Sequence, residues 1–267
     1  MTITHLPSPT ELLQAEPPSF LLPAPATILL YKLLPLLTHT YLLSLQNAIQ
    51  KLAKDAVKLA KEARVVGLGS GSTAAFIVRE IGKLSGKNSI EFVPTSLQIK
   101  IEAEKSGLRM ADENRIPDID VMYDGADQID NNFNMIKGGG GALLREKILI
   151  SAAKKVVIAA DESKFVQSFG GRSVPIEVHP MGRSAVAKKL AGMGGKPALR
   201  ALDKGYPFVT ENGSIILDTT FASIPDPKKK EMELKSIAGV LEVGIFTRRA
   251  DVYYKAKRDG SFETIAF

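Results

Sequence analysis

Two periods of apolar residues alternate along this chain, and their alternation predicts its architecture. Between Gln46 and Ala63 the positions Ile49, Leu52, Ala56, Leu59 and Ala60 fall near helical spacing with lysines between them, the pattern of an amphipathic helix. The short apolar run Arg64–Leu68 then predicts a buried strand, followed by a glycine loop and a helix over Ala74–Leu84. The unit returns as strand Glu91–Pro94 with helix Leu97–Ser106, strand Ile119–Tyr123, strand Asn134–Ile136 with helix Ala142–Ala153, and strand Lys155–Ala160. Val- and Ile-rich strands alternating with helices predict an α/β fold with a parallel sheet covered on both faces.

After Gly170-Gly171 the rhythm changes. Val174–Val178 predicts a strand and Ser184–Met193 a helix. Ala198–Leu202, Phe208–Val209 and Ser214–Thr219 predict strands around the Glu211-Asn212-Gly213 turn, Lys229–Ile237 a helix, and Val240–Phe246 a strand. Strand, helix, central hairpin, helix, strand is the split βαβ order of a ferredoxin-like domain. The tail segments Asp251–Tyr254 and Thr264–Phe267 are placed back on the first sheet.

The start of the chain follows neither period. Residues 1–45 hold Pro7, Pro9, Pro17, Pro18, Pro23 and Pro25, one basic residue (Lys32), and the leucine-rich run Thr27–Leu45. A signal peptide needs a positive leading region and a transit peptide needs arginines, and both are missing. A membrane span over Ile28–Leu45 would have to carry Lys32, Pro35 and His39. The segment is expected to be a poorly ordered extension, and the protein to be cytoplasmic without stable membrane association.

Composition narrows the chemistry. With 267 residues and 45% hydrophobic content the chain can bury a large core. It has no cysteine, so disulfides, thiol nucleophiles and cysteine-ligated zinc are excluded. His5, His39 and His179 show no metal-ligand spacing, and His179 is read as a structural polar group. The net charge of +6 suits either an acidic substrate or plain solubility. Lys228-Lys229-Lys230 is the only basic triplet and reads as a solvated helix start, and with aromatics at 6% nucleic acid is not expected as a partner.

Each predicted strand of the first half ends in a polar loop, and in a parallel sheet ligands bind beyond the carboxyl ends of the strands. The first loop, Gly67-Leu68-Gly69-Ser70-Gly71-Ser72-Thr73, has Ser72 where a dinucleotide fingerprint needs glycine and lacks the lysine of a Walker loop. Ser70, Gly71, Ser72 and Thr73 at a helix N-terminus suit a single phosphate or sugar hydroxyls, the plainer alternative being a helix cap. The second, Asp124-Gly125-Ala126-Asp127, carries two carboxylates three positions apart, or else is a solvated turn. In the third, Lys137-Gly138-Gly139-Gly140-Gly141, four glycines let backbone N–H groups crowd a ligand, and Lys137 supplies a positive charge. A flexible linker would be flanked by polar residues instead of a strand and an apolar helix. Glu146 lies early in the following helix, where the dipole favours its charged form, and it can take a proton; its plain reading is a surface charge beside a lysine. A fourth loop, Asp161-Glu162-Ser163-Lys164, ends the fifth strand. Together these loops predict an enzyme site for a small phosphorylated substrate.

Gly67 to Phe76, Tyr123 to Asp127, Lys137 to Lys147 and Asp161 to Lys164 closely resemble the type A ribose-5-phosphate isomerases, and the resemblance runs from about Ala48 to the C-terminus. The resemblance implies interconversion of D-ribose 5-phosphate and D-ribulose 5-phosphate, in the non-oxidative pentose phosphate pathway, without metal or organic cofactor. It implies Glu146 as general base, Lys137, Asp124 and Asp127 as its catalytic companions, and substrate contacts at Ser70, Gly71, Ser72, Thr73, Asp124, Gly125, Ala126, Asp127, Lys137, Gly138, Gly139, Gly140 and Lys164. It also implies a Rossmann-like domain over 46–170 plus 247–267, a smaller ferredoxin-like domain over 171–246, and a homodimer or homotetramer. Two positions depart from the family pattern: Ser70 stands where threonine is usual, and Gln128 where glutamate is usual. Two other classes are weighed against this reading. A coenzyme A transferase would need a nucleotide site, and a sugar-phosphate sensor would need a DNA-binding module. Neither feature is found in the sequence.

Overall fold

In the computed structural model, which describes residues 43–112 and 118–267, the apolar runs of the first half line up side by side. Strands β1 (Val65–Leu68), β2 (Glu91–Pro94), β3 (Arg109–Met110), β4 (Ile119–Asp124), β7 (Ala153–Asp161), β13 (Val252–Ala256) and β14 (Phe262–Ala266) form one sheet in the order β14-β13-β7-β4-β1-β2-β3. Every pairing in it is parallel except the β13–β14 edge. Both tail segments thus return to this sheet.

Strand periodicity decides which face each side chain takes. Val66, Leu68, Val121, Tyr123, Val157 and Ala159 share a core with the helix over 43–56 (α1), α2 (Ser72–Ile81) and α3 (Leu97–Lys105). Their neighbours Val65, Met122, Val156 and Ile158 face the other way, onto α4 (Leu143–Ala152) through Leu143, Leu149 and Ile150. A helical layer thus covers each face of the central strands, and their carboxyl ends carry the polar loops.

The second sheet, β11-β8-β10-β9, is antiparallel throughout and joins β8 (Ser173–Val178), β9 (Lys196–Leu199), β10 (Ile215–Thr220) and β11 (Val240–Val243). Helices α5 (Arg183–Gly192) and α6 (Pro227–Lys235) complete the split βαβ pattern, with Val186, Leu190 and Leu234 packed on Val174, Ile176 and Val178. The lysine triplet lies in the first turns of α6, capped by Asp226, which accepts the Lys229 N–H at 2.9 Å. His179 caps a short turn, its Nδ1 accepting the Met181 N–H at 3.3 Å.

Four segments differ from the expected pattern. Asn134–Ile136 does not join the parallel sheet. Asp130 Oδ1 accepts the N–H groups of Asn132 and Asn134 at 2.9 and 2.8 Å, Phe133 adopts φ 62°, and the chain reverses. Strand β6 (Met135–Ile136) therefore pairs antiparallel with β5 (Gln128–Ile129) in a third, three-stranded sheet, completed by β12 (Ile245–Phe246) in the order β12-β6-β5. Val240–Phe246 splits at Gly244, whose N–H donates to Pro175 O at 2.7 Å and whose carbonyl accepts the Lys137 N–H at 2.9 Å. Its second half, β12 (Ile245–Phe246), pairs with β6 instead of β8. The expected strand Phe208–Val209 contributes only the single bridge Val209–Ile215, and the two-residue β3 carries no periodic signal.

Most of the expected extension, residues 1–42, lies outside the described residues, whereas 43–45 open α1. Among the described residues no helix is long and apolar enough to cross a membrane.

Candidate active site

Three loops meet at the carboxyl edge of the parallel sheet. After β1 the chain crosses towards β4, the Gly69 N–H donating to Tyr123 O at 2.7 Å. Only glycine fits there, because a Cβ would overlap the Asp124 carboxyl group. Gly71, at φ 105°, turns the chain into α2, so Ser72 and Thr73 open that helix where its first N–H groups are unpaired. Ser70 Oγ is held by the end of β2, 2.8 Å from Thr95 Oγ1 and donating to Ser96 Oγ at 2.7 Å.

A buried charge cluster forms the floor. Lys137 Nζ stands 2.9 Å from Asp124 Oδ2 and 3.4 Å from Glu146 Oε2, and donates to Gly125 O at 2.6 Å. Exposure of Lys137, Asp124 and Glu146 is 2%, 0% and 4%. The plain reading of Glu146 as a surface charge therefore fails. So does the expectation that its position favours the charged form: burial first, then the neighbouring Asp124 charge, raise its pKa to about 8, with Lys137 opposing. Burial likewise raises Asp124 despite Lys137. For Lys137 burial opposes the charge, but Asp124 and Glu146 outweigh it and hold the ammonium above the ordinary lysine value. One cation thus faces two carboxyl groups, and each carboxyl raises the other's cost of holding a charge.

Asp127 takes another place. Its Oδ2 accepts the Gly139 N–H at 2.8 Å, fixing the glycine loop against the Asp124–Asp127 loop. Around these groups lies a cavity of about 220 Å³. That is below the roughly 300–1,000 Å³ of sites for drug-sized ligands, a scale for a small substrate and not for a dinucleotide.

Of the residues expected from the sequence, Ser70, Gly71, Ser72, Thr73, Gly125, Ala126, Asp127, Lys137, Gly138, Gly139, Gly140, Glu146 and Lys164 all line this cavity. Asp124 does not; it lies beneath, bound to the lining residues Lys137 and Gly125. Lys164 arrives on the turn Glu162–Lys164 after β7. The lining also includes Asp161, named in the fourth loop without a role of its own, and Ala159 and Ala160, which were not singled out although they sit at the end of β7, where ligands are expected. Gln128 is buried on β5 away from the lining, and its Oε1 has no donor among the described residues.

The profile of the family described as ribose 5-phosphate isomerase A (phosphoriboisomerase A) matches residues 91–260. Among similar sequences, a ribose-5-phosphate isomerase A of Methanosarcina acetivorans is 39% identical over 213 residues, spanning 79% of this chain and 90% of its own. That of Methanococcus vannielii is 45% identical over 203 residues, spanning 74% and 84%. The ribose 5-phosphate isomerase A structure from Methanocaldococcus jannaschii superposes with a TM-score of 0.78 at 34% identity, covering 83% of this chain and 99% of that one. A D-ribose-5-phosphate isomerase structure in complex with phospho-erythronic acid gives a TM-score of 0.77 at 36% identity, covering 83% and 97%. A match over most of the folded chain, in sequence and in structure, shows that it belongs to the ribose-5-phosphate isomerase A family.

Proposed function

We propose that Glu146 is the acid–base group with which this chain interconverts D-ribose 5-phosphate and D-ribulose 5-phosphate. The observation that carries the assignment is a carboxyl group almost wholly buried at the cavity floor, its pKa raised to about 8 and its Oε2 3.4 Å from a lysine ammonium. Proton transfer is most effective when the group's pKa lies near the working pH.

In the opened aldose, the Glu146 carboxylate takes the proton from C2. The electrons of that bond form a C1–C2 double bond, and those of the carbonyl pass to O1, giving an enediolate. Glu146 returns its proton to C1, and the hydroxyl proton of O2 is replaced by one on O1, leaving a ketone at C2. Charge that develops on O1 is stabilised by Lys137 Nζ and the Gly140 N–H of the glycine loop, donors already in place before reaction. Asp124 holds Lys137 in position. Asp127, which lines the cavity, is the aspartate that accepts a sugar hydroxyl and assists ring opening. Ser70, Gly71, Ser72, Thr73 and Lys164 bind the phosphate, where helix N–H groups and an ammonium favour an anion. A related structure's complex with phospho-erythronic acid supports a phosphorylated sugar acid as a ligand for this site.

The test is Glu146→Gln, which keeps shape but cannot accept a proton. At saturating ribose 5-phosphate, turnover should fall about 10²–10⁴-fold, the usual contribution of a positioned base, while calorimetry still records substrate binding. Near-normal turnover by the folded variant would remove Glu146 from the role. A cytoplasmic homodimer or homotetramer, as the resemblance implies, completes the proposal; light scattering checks the assembly.

A further inference from the structure

We propose that Arg200, which belongs to the antiparallel sheet and lies outside the cavity lining, is a positioning residue for the reaction: it clamps the glycine loop from behind. Arg200 follows β9, its N–H donating to Ile216 O at 2.9 Å, so its backbone is anchored to β10. Its Nη1 donates to two successive carbonyls, Gly138 O at 2.9 Å and Gly139 O at 3.0 Å. The rest of the guanidinium is used on one carboxylate: Nε and Nη2 donate to the two oxygens of Asp218 at 2.8 and 2.6 Å. The Phe208 ring, 5.8 Å from the guanidinium carbon, lies against Gly141 and closes the loop's other end.

The consequence follows from the planarity of the peptide group, whose C=O and N–H point in opposite directions. The peptide between Gly138 and Gly139 is gripped at both ends, its carbonyl by Arg200 and its N–H by Asp127 Oδ2 at 2.8 Å. The next peptide is gripped by its carbonyl alone, so its Gly140 N–H leaves the loop on the side away from Arg200. The loop's own turn bond, from the Gly141 N–H to Gly138 O at 3.0 Å, and the Asp127 bond to Gly139 hold its other peptides, so the peptide before Gly140, with no side chain to orient it, is the one whose donor-inward state Arg200 selects. Asp218 neutralises the guanidinium locally. Arg200 therefore works through geometry and carbonyl polarisation more than through net charge.

The inference rests on the reading that the Gly140 N–H of the glycine loop stabilises the enediolate formed by Glu146. If it is right, Arg200→Met should lower kcat and kcat/KM together, with KM near the wild-type value, because the interaction lost is one made in the transition state. The expected loss is about 10–100-fold, the scale on which outer partners of a site act. Arg200→Lys keeps the charge but has no planar fork, so it should not restore turnover. Inhibition by inorganic phosphate should be unchanged in both variants. Wild-type kcat in either variant, a rise in KM alone, or weaker phosphate inhibition matching the loss of turnover would overturn the clamp. Should Arg200→Met not fold, Arg200→Lys decides alone, with its thermal midpoint recorded beside its kinetics. Glu146→Gln measured in parallel separates the two readings: a silent Glu146→Gln with fully active Arg200 variants removes only the clamp, whereas an active Glu146→Gln removes the base.

Discussion

One ammonium group faces two buried carboxyl groups at the floor of the cavity, and that imbalance sets how Glu146 behaves with pH. Its folded pKa, about 8, lies above the ordinary 4.5, mainly through burial. As a base it must be ionised in the free enzyme, so kcat/KM should rise with pH to a plateau, with its midpoint near 8. A midpoint in the usual carboxylate range would contradict this. Stability should move the other way. Between the unfolded and folded pKa values the native state binds the extra proton, so unfolding free energy falls as pH rises through that window, by at most about 1.4 kcal/mol per unit. Glu146→Gln should lack this component when urea midpoints are compared across the same pH range. The sequence was enough to name Lys137, Glu146 and Asp127, because each is tied to a glycine loop at a strand end. It could not show that Glu146 is buried. That fact depends on loops distant in sequence, which bring Lys137 and Asp124 against its carboxyl group, and it reverses the expected effect of the helix terminus.

Strands and helices with a full apolar period were legible from the residues alone, and those whose partners are chosen by hydrogen bonds were not. Strand β2 occupies the expected residues, but Val240–Phe246 reads as one apolar run and only the bonds of Gly244 to Pro175 and Lys137 show where it changes sheets. The same split delivers Lys137 to the site, since its N–H is the group that Gly244 accepts. A second link between elements invites a test of a weaker kind. Glu211, in the turn before β10, accepts the Leu97 N–H at the start of α3 at 2.7 Å through Oε1, and its Oε2 lies 3.2 Å from Arg145 on α4. Both side chains of that ion pair are more than a third exposed, at 35% and 41%, so solvent screens most of the attraction. What remains is a helix-capping bond. Glu211→Ala should cost about 0.5–2 kcal/mol in urea unfolding, the range for a lost cap, and leave kcat unchanged. A loss of about 3–5 kcal/mol, the scale of a broken buried pair, would show that the turn does more than cap.

At the scale of the molecule, Leu43–Phe267 form one compact unit, and every group assigned to the site lies within it. The sequence separated the proline-rich start from the rest by composition, yet placed the border at 45, because Leu43, Ser44 and Leu45 look like the end of the leucine run preceding them. In the structure they belong to α1, where Leu45 packs on the core and Ser44 Oγ donates to Arg258 O at 2.8 Å. Further along the same helix Ala48, Leu52, Ala53 and Ala56 are fully buried. Two tyrosines of the parallel sheet reach it: Tyr123 Oη donates to Ala56 O at 2.9 Å and Tyr254 Oη to Asp55 Oδ2 at 3.0 Å. Removing residues 1–42 should therefore leave both thermal midpoint and turnover at their full-length values. Removing residues 1–63 should not be tolerated. Leu52 alone contributes about 1.5–3 kcal/mol by burial, and native domains have only about 5–15 kcal/mol in all, so the loss of this helical face together with both tyrosine bonds is enough to unfold the protein. The comparison is made with two chains, one beginning at Leu43 and one at Arg64, followed by circular dichroism during heating and by the isomerase assay. A fall in midpoint or turnover for the first chain would make the leading segment part of the fold, and a cooperative, active second chain would show that α1 is an accessory to a core complete without it.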